Sequence, residues 1–114
     1  MRQRALWVAG AWLLCAVIVW LSLTPSPPKV DIEQSDKVAH FLAYGTLAFW
    51  FCTLYRTRGT RLAYVAGFIA MGAALEFLQG WTGIREFEIA DMLANALGVL
   101  AGWGTAVIRP AAGA

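Results

Sequence analysis

Charge is what this sequence has least of. Only 14% of its 114 residues are Asp, Glu, Lys or Arg, while 60% are hydrophobic. Ordinary soluble domains carry about 25% charged residues, so lipid rather than water is the expected solvent. Histidine occurs once and cysteine twice. Cys15 and Cys52 both fall in apolar runs without CxxC or zinc-ligand spacing, which makes two buried thiols the expectation. A single histidine also excludes an H-x-x-x-H metal site, and neither G-x-S-x-G nor H-E-x-x-H is present. The net charge is only +2, with no basic run interleaved with aromatics, so nucleic acid is not an expected partner.

What the chain does have is apolar length. Four runs stand out, 5–23, 38–55, 62–78 and 89–108. At 1.5 Å per residue each makes a helix of about 25–30 Å, close to the ~30 Å hydrocarbon thickness of a bilayer. The expected fold is all-α, a four-helix transmembrane bundle filling residues 1–114 as one domain. "MRQR" resembles the basic start of a signal peptide, but the run behind it is longer than the usual apolar core of one. Pro25 also stands where a processed chain would begin, so a retained first helix ended by Pro25, Pro27 and Pro28 is expected.

The arginines orient the bundle. Arg2 and Arg4 precede the first run, Arg56, Arg58 and Arg61 crowd the loop between the second and third, and Arg109 follows the fourth. Four crossings put all of these on one side, which the positive-inside rule makes cytoplasmic, with both termini there. All seven acids fall toward the opposite side, with Lys29, Lys37 and Arg85. Trp20 and Trp81 are expected as interface anchors on the outer side, and Trp7, Trp103 and Tyr55 on the inner.

Within this apolar frame a few polar residues stand out. "SDKVAHFLAYGTL" enters the second helix with Ser35 or Asp36 as its cap, and Lys37, His40 and Tyr44 share one face. "EFLQGWTGIR" leaves the third helix with Glu76 and Gln79 one turn apart, followed by Arg85. "REFEIADMLANALG" re-enters with Asp91 and Asn95, then Gly98 and Gly102 at helical spacing. An aspartate at mid-bilayer costs ~2.5–3.5 kcal/mol, and polar groups at such depth face a bundle interior or a wet cavity. Asp91 is therefore expected to be offset by His40, Lys37 or Arg85, and Asn95 by Tyr44 or a freed backbone group. Gly98 and Gly102 form a G-x-x-x-G packing face, and Ala63, Gly67, Ala70 and Ala74 offer a similar surface on the third helix.

The ordered set "SDKVAHFLAY", "EFLQ" and "REFEIADMLANALG" resembles the VanZ-like family of small bacterial membrane proteins, from about Leu21 to Gly102. The matching positions are Asp36, Lys37, His40, Phe41, Tyr44, Glu76, Gln79, Arg85, Asp91, Asn95 and Gly98. The resemblance implies a multi-pass protein of the bacterial cytoplasmic membrane, in a family named for a protein linked to low-level resistance to the glycopeptide teicoplanin. It brings no established enzymatic activity, cofactor or catalytic residue.

Three readings of the polar set follow. In the first, Asp36, Lys37, His40, Tyr44, Glu76, Gln79, Arg85, Asp91 and Asn95 line an outer-leaflet cleft. That cleft would bind an envelope lipid headgroup, a wall precursor or a glycopeptide. In the second, His40 with Asp36 or Asp91 acts as an oriented general base, or as a metal site with carboxylates, and Glu76 as an acid. In the third, the set only fixes helix register. The expectation leans to a non-enzymatic membrane protein without cofactor or metal. A transporter lacks a matching polar relay in the inner half, unless a homo-oligomer supplies a pore.

Overall fold

The computed structural model contains four α-helices, α1 (Arg2–Leu23), α2 (Ser35–Leu54), α3 (Arg58–Thr82) and α4 (Ile89–Ile108). The structure describes residues 2–24, 35–83 and 89–108, excluding the side chains of Ser35 and Asp36. All regular structure among these residues is helical, as the apolar runs predict. The expected cap at Ser35 or Asp36 and the expected contributions of Asp36 and Arg85 lie outside the described residues.

Helix α4 coincides with its predicted span, whereas α3 outgrows the predicted 62–78 at both ends. At its start, Arg61 is not a solvated loop residue. It is buried in the first turn, and its Nε donates a 2.8 Å hydrogen bond to the carbonyl of Cys52. At its end, the helix continues through Gly80 and stops at Gly83, whose φ of 78° closes the last turn in the left-handed region.

Hydrogen bonds at the helix ends define the topology. Arg4 near the start of α1 donates to the carbonyl of Leu54 at the end of α2 (3.0 Å), where Arg61 of α3 also lands. Gln79 near the end of α3 donates to the carbonyl of Ser22 at the end of α1 (2.6 Å). Thus α1 and α3 run one way and α2 and α4 the other, leaving an arginine-bearing end and an acidic end.

Helices α1, α3 and α4 are long and apolar enough to cross a membrane. Helix α2 is as long as α4 but less apolar, because Asp36, Lys37 and His40 occupy its first two turns. Like α3 it packs on all three other helices, and it carries Tyr44, Leu47, Ala48, Phe51 and Cys52 into the core. Phe51 is the hub, with the rings of Trp12, Tyr64 and Phe68 around it at 5.0, 4.8 and 5.0 Å. Large apolar side chains remain exposed on every helix, from Leu6 and Trp20 on α1 to Leu97 and Val107 on α4. A soluble monomer would not leave so much apolar surface open; a bilayer covers it.

Two expectations about packing need correction. The Ala63, Gly67, Ala70 and Ala74 face of α3 packs on nothing: all four are exposed, and open space surrounds Gly67. Helix α3 meets α4 through Gly72 instead. Tyr55 and Trp103 are partly buried against the core rather than standing free as interface anchors. Trp7, Trp20 and Trp81 are exposed near the helix ends as expected.

Candidate functional site

The close approach of α2 and α4 builds the site. A Cβ added at Gly98 would collide with the carbonyl oxygen of Phe41 and lie 3.1 Å from the nitrogen of Gly45. One added at Gly102 would collide with the carbonyl of Gly45 and lie 2.8 Å from the nitrogen of Phe49. Only glycine permits this backbone-to-backbone contact. Gly45 is the matching member on α2 that a G-x-x-x-G pattern on α4 alone does not reveal.

Because α2 and α4 run parallel with a constant offset, their polar residues pair rung by rung toward the acidic end. The first rung is Lys37 and Asp91, with Nζ 3.6 Å from Oδ1. The second is His40 and Asn95, with Nδ1 donating to Oδ1 at 3.0 Å. The glycine seam forms the next rungs. Asp91 is thus offset by Lys37, one of the three partners anticipated for it. Asn95 pairs with His40 rather than with Tyr44 or a freed backbone group, because the parallel offset sets Asn95 level with the histidine. The pairing of His40 with Asp91 anticipated for a general base does not form, since Asp91 sits one rung higher with Lys37.

Helix α3 closes the site from the side. Gly72 lies against Asn95: a Cβ there would be 3.0 Å from its Nδ2 and 3.1 Å from its Cβ. One turn on, Glu76 is buried to 2% exposure, and Tyr44 on α2 is buried to 3%. Gln79 is equally buried, but its amide is committed to Ser22 of α1. That makes Gln79 a tie between helix ends rather than a group facing a ligand. The site therefore unites Lys37, His40, Asp91 and Asn95, with Gly72 of α3 against Asn95.

Chemically the cluster is a set of hydrogen-bond donors and acceptors. With Nδ1 as the donor, a neutral His40 presents Nε2 as an acceptor. An amide orients the imidazole but cannot stabilise an imidazolium as a carboxylate would. Among the described residues, no three His, Cys, Asp or Glu side chains come together as metal ligands. The Lys37 side chain is 26% exposed and that of Asp91 beside it 11%, and His40 is half-buried. The Lys37–Asp91 ion pair at the rim leads inward to the hydrogen-bonded His40 and Asn95.

These features define a multi-pass helical membrane protein with a polar cluster built into one end of its central helix pair. The chain belongs to the VanZ/LLP1 family, whose model matches residues 18–109 and so covers the end of α1 and all of α2, α3 and α4. It is also 30% identical over 89 residues to an uncharacterized protein of Schizosaccharomyces pombe, a match covering 75% of this chain and 53% of that one. The chain therefore spans about half the length of the curated relative it matches. No solved structure matches it.

Proposed function

We propose that this protein binds the polar headgroup of an envelope lipid in the cluster formed by Lys37, His40, Asp91 and Asn95. Both termini lie in the cytoplasm and the cluster faces the outer leaflet of a bacterial cytoplasmic membrane. The observation that carries the reading is the two-rung ladder itself. A half-buried lysine paired with a buried aspartate and a histidine–amide pair lie in the first two turns of α2 and α4, fixed by a glycine seam. Register alone needs fewer ionisable groups than this, since interhelical hydrogen bonds average only ~0.6 kcal/mol each in membrane proteins.

The ligand chemistry follows from the donors. The Lys37 ammonium suits a phosphate oxygen, while Asp91, Asn95 and the His40 ring suit sugar or glycerol hydroxyls. A wall precursor or a glycopeptide would use the same groups, its amines favouring Asp91. Through such binding the protein would influence teicoplanin susceptibility. The relative in a yeast favours a lipid headgroup over a wall component, because lipid is common to both kinds of membrane. Catalysis is the weaker reading, because the only histidine is held by an amide. Mass spectrometry of lipid copurified with the wild-type protein and with Asp91→Ala tests the proposal. An enriched lipid class lost in the variant supports it, whereas bulk lipid composition in both would refute it.

A further inference from the structure

The arginine-bearing end holds a second polar arrangement, separate from the ladder. Arg61 is 8% exposed, and its Nε is committed to the carbonyl of Cys52. Its Nη2 is shut away from solvent and has no hydrogen-bond partner among the described residues. A buried guanidinium nitrogen without an acceptor is costly and calls for a missing partner, a water or an anion. Nearby, Arg4 donates to the carbonyl of Leu54 and lies 5.6 Å over the Tyr55 ring, while Arg56 and Arg58 are exposed on the turn leading into α3. Among the described side chains the only carboxylates are Glu76 and Asp91, both at the other end. Glu76 lies about 22 Å farther along α3 than Arg61 by helical rise. Four arginines thus lie toward this end with no counter-ion beside them among the described side chains.

We infer that this end binds the phosphate of an anionic phospholipid from the adjoining leaflet, with Arg61 as the inner anchor and Arg4, Arg56 and Arg58 as the outer contacts. The planar fork of a guanidinium matches phosphate oxygens. Basic pockets between membrane helices are suited to anionic headgroups, and a lipid is already held at this depth by its acyl chains. The contact would neutralise the cluster around Arg61. It would also brace α2, whose last carbonyls Arg4 and Arg61 already cap.

The test uses the full chain in detergent, titrated with phosphatidylglycerol, phosphatidylcholine or glycerol 1-phosphate and followed by native mass spectrometry and thermal shift. Phosphatidylglycerol is expected to bind and stabilise at concentrations where the other two do neither. Arg61→Gln is expected to weaken that binding about fivefold to tenfold. Because Arg61 also caps α2, the Arg56→Gln/Arg58→Gln double variant keeps the test independent of folding. It leaves the bond to Cys52 intact and is expected to weaken phosphatidylglycerol binding several-fold. Equal binding of phosphatidylcholine would overturn the inference, and equal stabilisation by glycerol 1-phosphate would overturn its lipid source. Wild-type affinity in the double variant would also overturn it.

Discussion

Adding one methyl group to Gly98 should force α2 and α4 apart at their closest point. The added carbon would fall well inside contact distance of the Phe41 carbonyl oxygen and 3.1 Å from the Gly45 nitrogen. Both obstacles are backbone atoms of a helix, so neither can swing aside, and the helices must separate by about 1 Å. A gap of 0.5–1 Å forfeits roughly a quarter to a half of each dispersion contact along the seam. Overpacking of this kind costs about 1–3 kcal/mol. The His40–Asn95 bond at 3.0 Å and the Lys37–Asp91 pair at 3.6 Å stretch as well, at ~0.6 kcal/mol for each interhelical bond lost. The better helix propensity of alanine returns ~1 kcal/mol, so Gly98→Ala should destabilise by about 1–3 kcal/mol, lowering Tm in detergent by roughly 10 °C. Gly104→Ala is the control. Nothing lies within 4 Å of a Cβ built there, and alanine is the better helix former by ~1 kcal/mol, so Tm should hold or rise. An unchanged Tm in Gly98→Ala, or an equal loss in Gly104→Ala, would refute the seam.

The remaining predictions concern the ladder, its side wall and the topology. Asp91→Leu should remove the carboxylate that stands 3.6 Å from the Lys37 ammonium, and adding Lys37→Met should recover part of the loss; a coupling energy below ~0.5 kcal/mol would mean the pair is not a unit. Gly72→Ala should press on Asn95 and loosen its bond to His40. The imidazole nitrogen resonances, observed by NMR, should then shift as they do in Asn95→Ala, and an unshifted spectrum would count against α3 as the wall of the site. In a background lacking Cys15 and Cys52, cysteines at Ser35 and Thr82 should react with an impermeant thiol reagent on intact cells, and one at Thr57 should not. Labelling at Thr57 alone would invert the topology.

Legibility in the sequence varied with how local each signal was. The four helices were readable because apolar runs of membrane length admit few alternatives, and α4 was placed to the residue because Asp91 and the glycines mark its start and its packed face. Helix α3 was underestimated because Arg61 reads as loop charge when it in fact turns back onto the end of α2. Small residues were ambiguous for a physical reason. In lipid, Ala63, Gly67, Ala70 and Ala74 lie open to the surroundings, whereas a Cβ at Gly45 or Gly72 would press to within 3.2 or 3.0 Å of α4, and no periodicity distinguishes the two cases. Polar partners depend on inter-helix offset, which the linear order does not carry. Helical spacing put Asp91 and Asn95 on one face, but only the parallel packing of α2 against α4 assigns His40 to the amide and Lys37 to the acid.

The central claim is that the ladder binds a ligand rather than merely setting register, and Asp91→Asn tests it most directly. The substitution keeps shape and most hydrogen bonding while removing the charge that faces Lys37. Copurified lipid should be quantified by mass spectrometry in wild type and variant at matched membrane abundance, alongside sensitivity to lipoglycopeptide antibiotics. Binding through the ladder predicts an abundant variant that has lost its enriched lipid and changed its sensitivity. An abundant Asp91→Asn protein with unchanged lipid content and unchanged sensitivity would contradict the claim and leave helix register as the purpose of these residues.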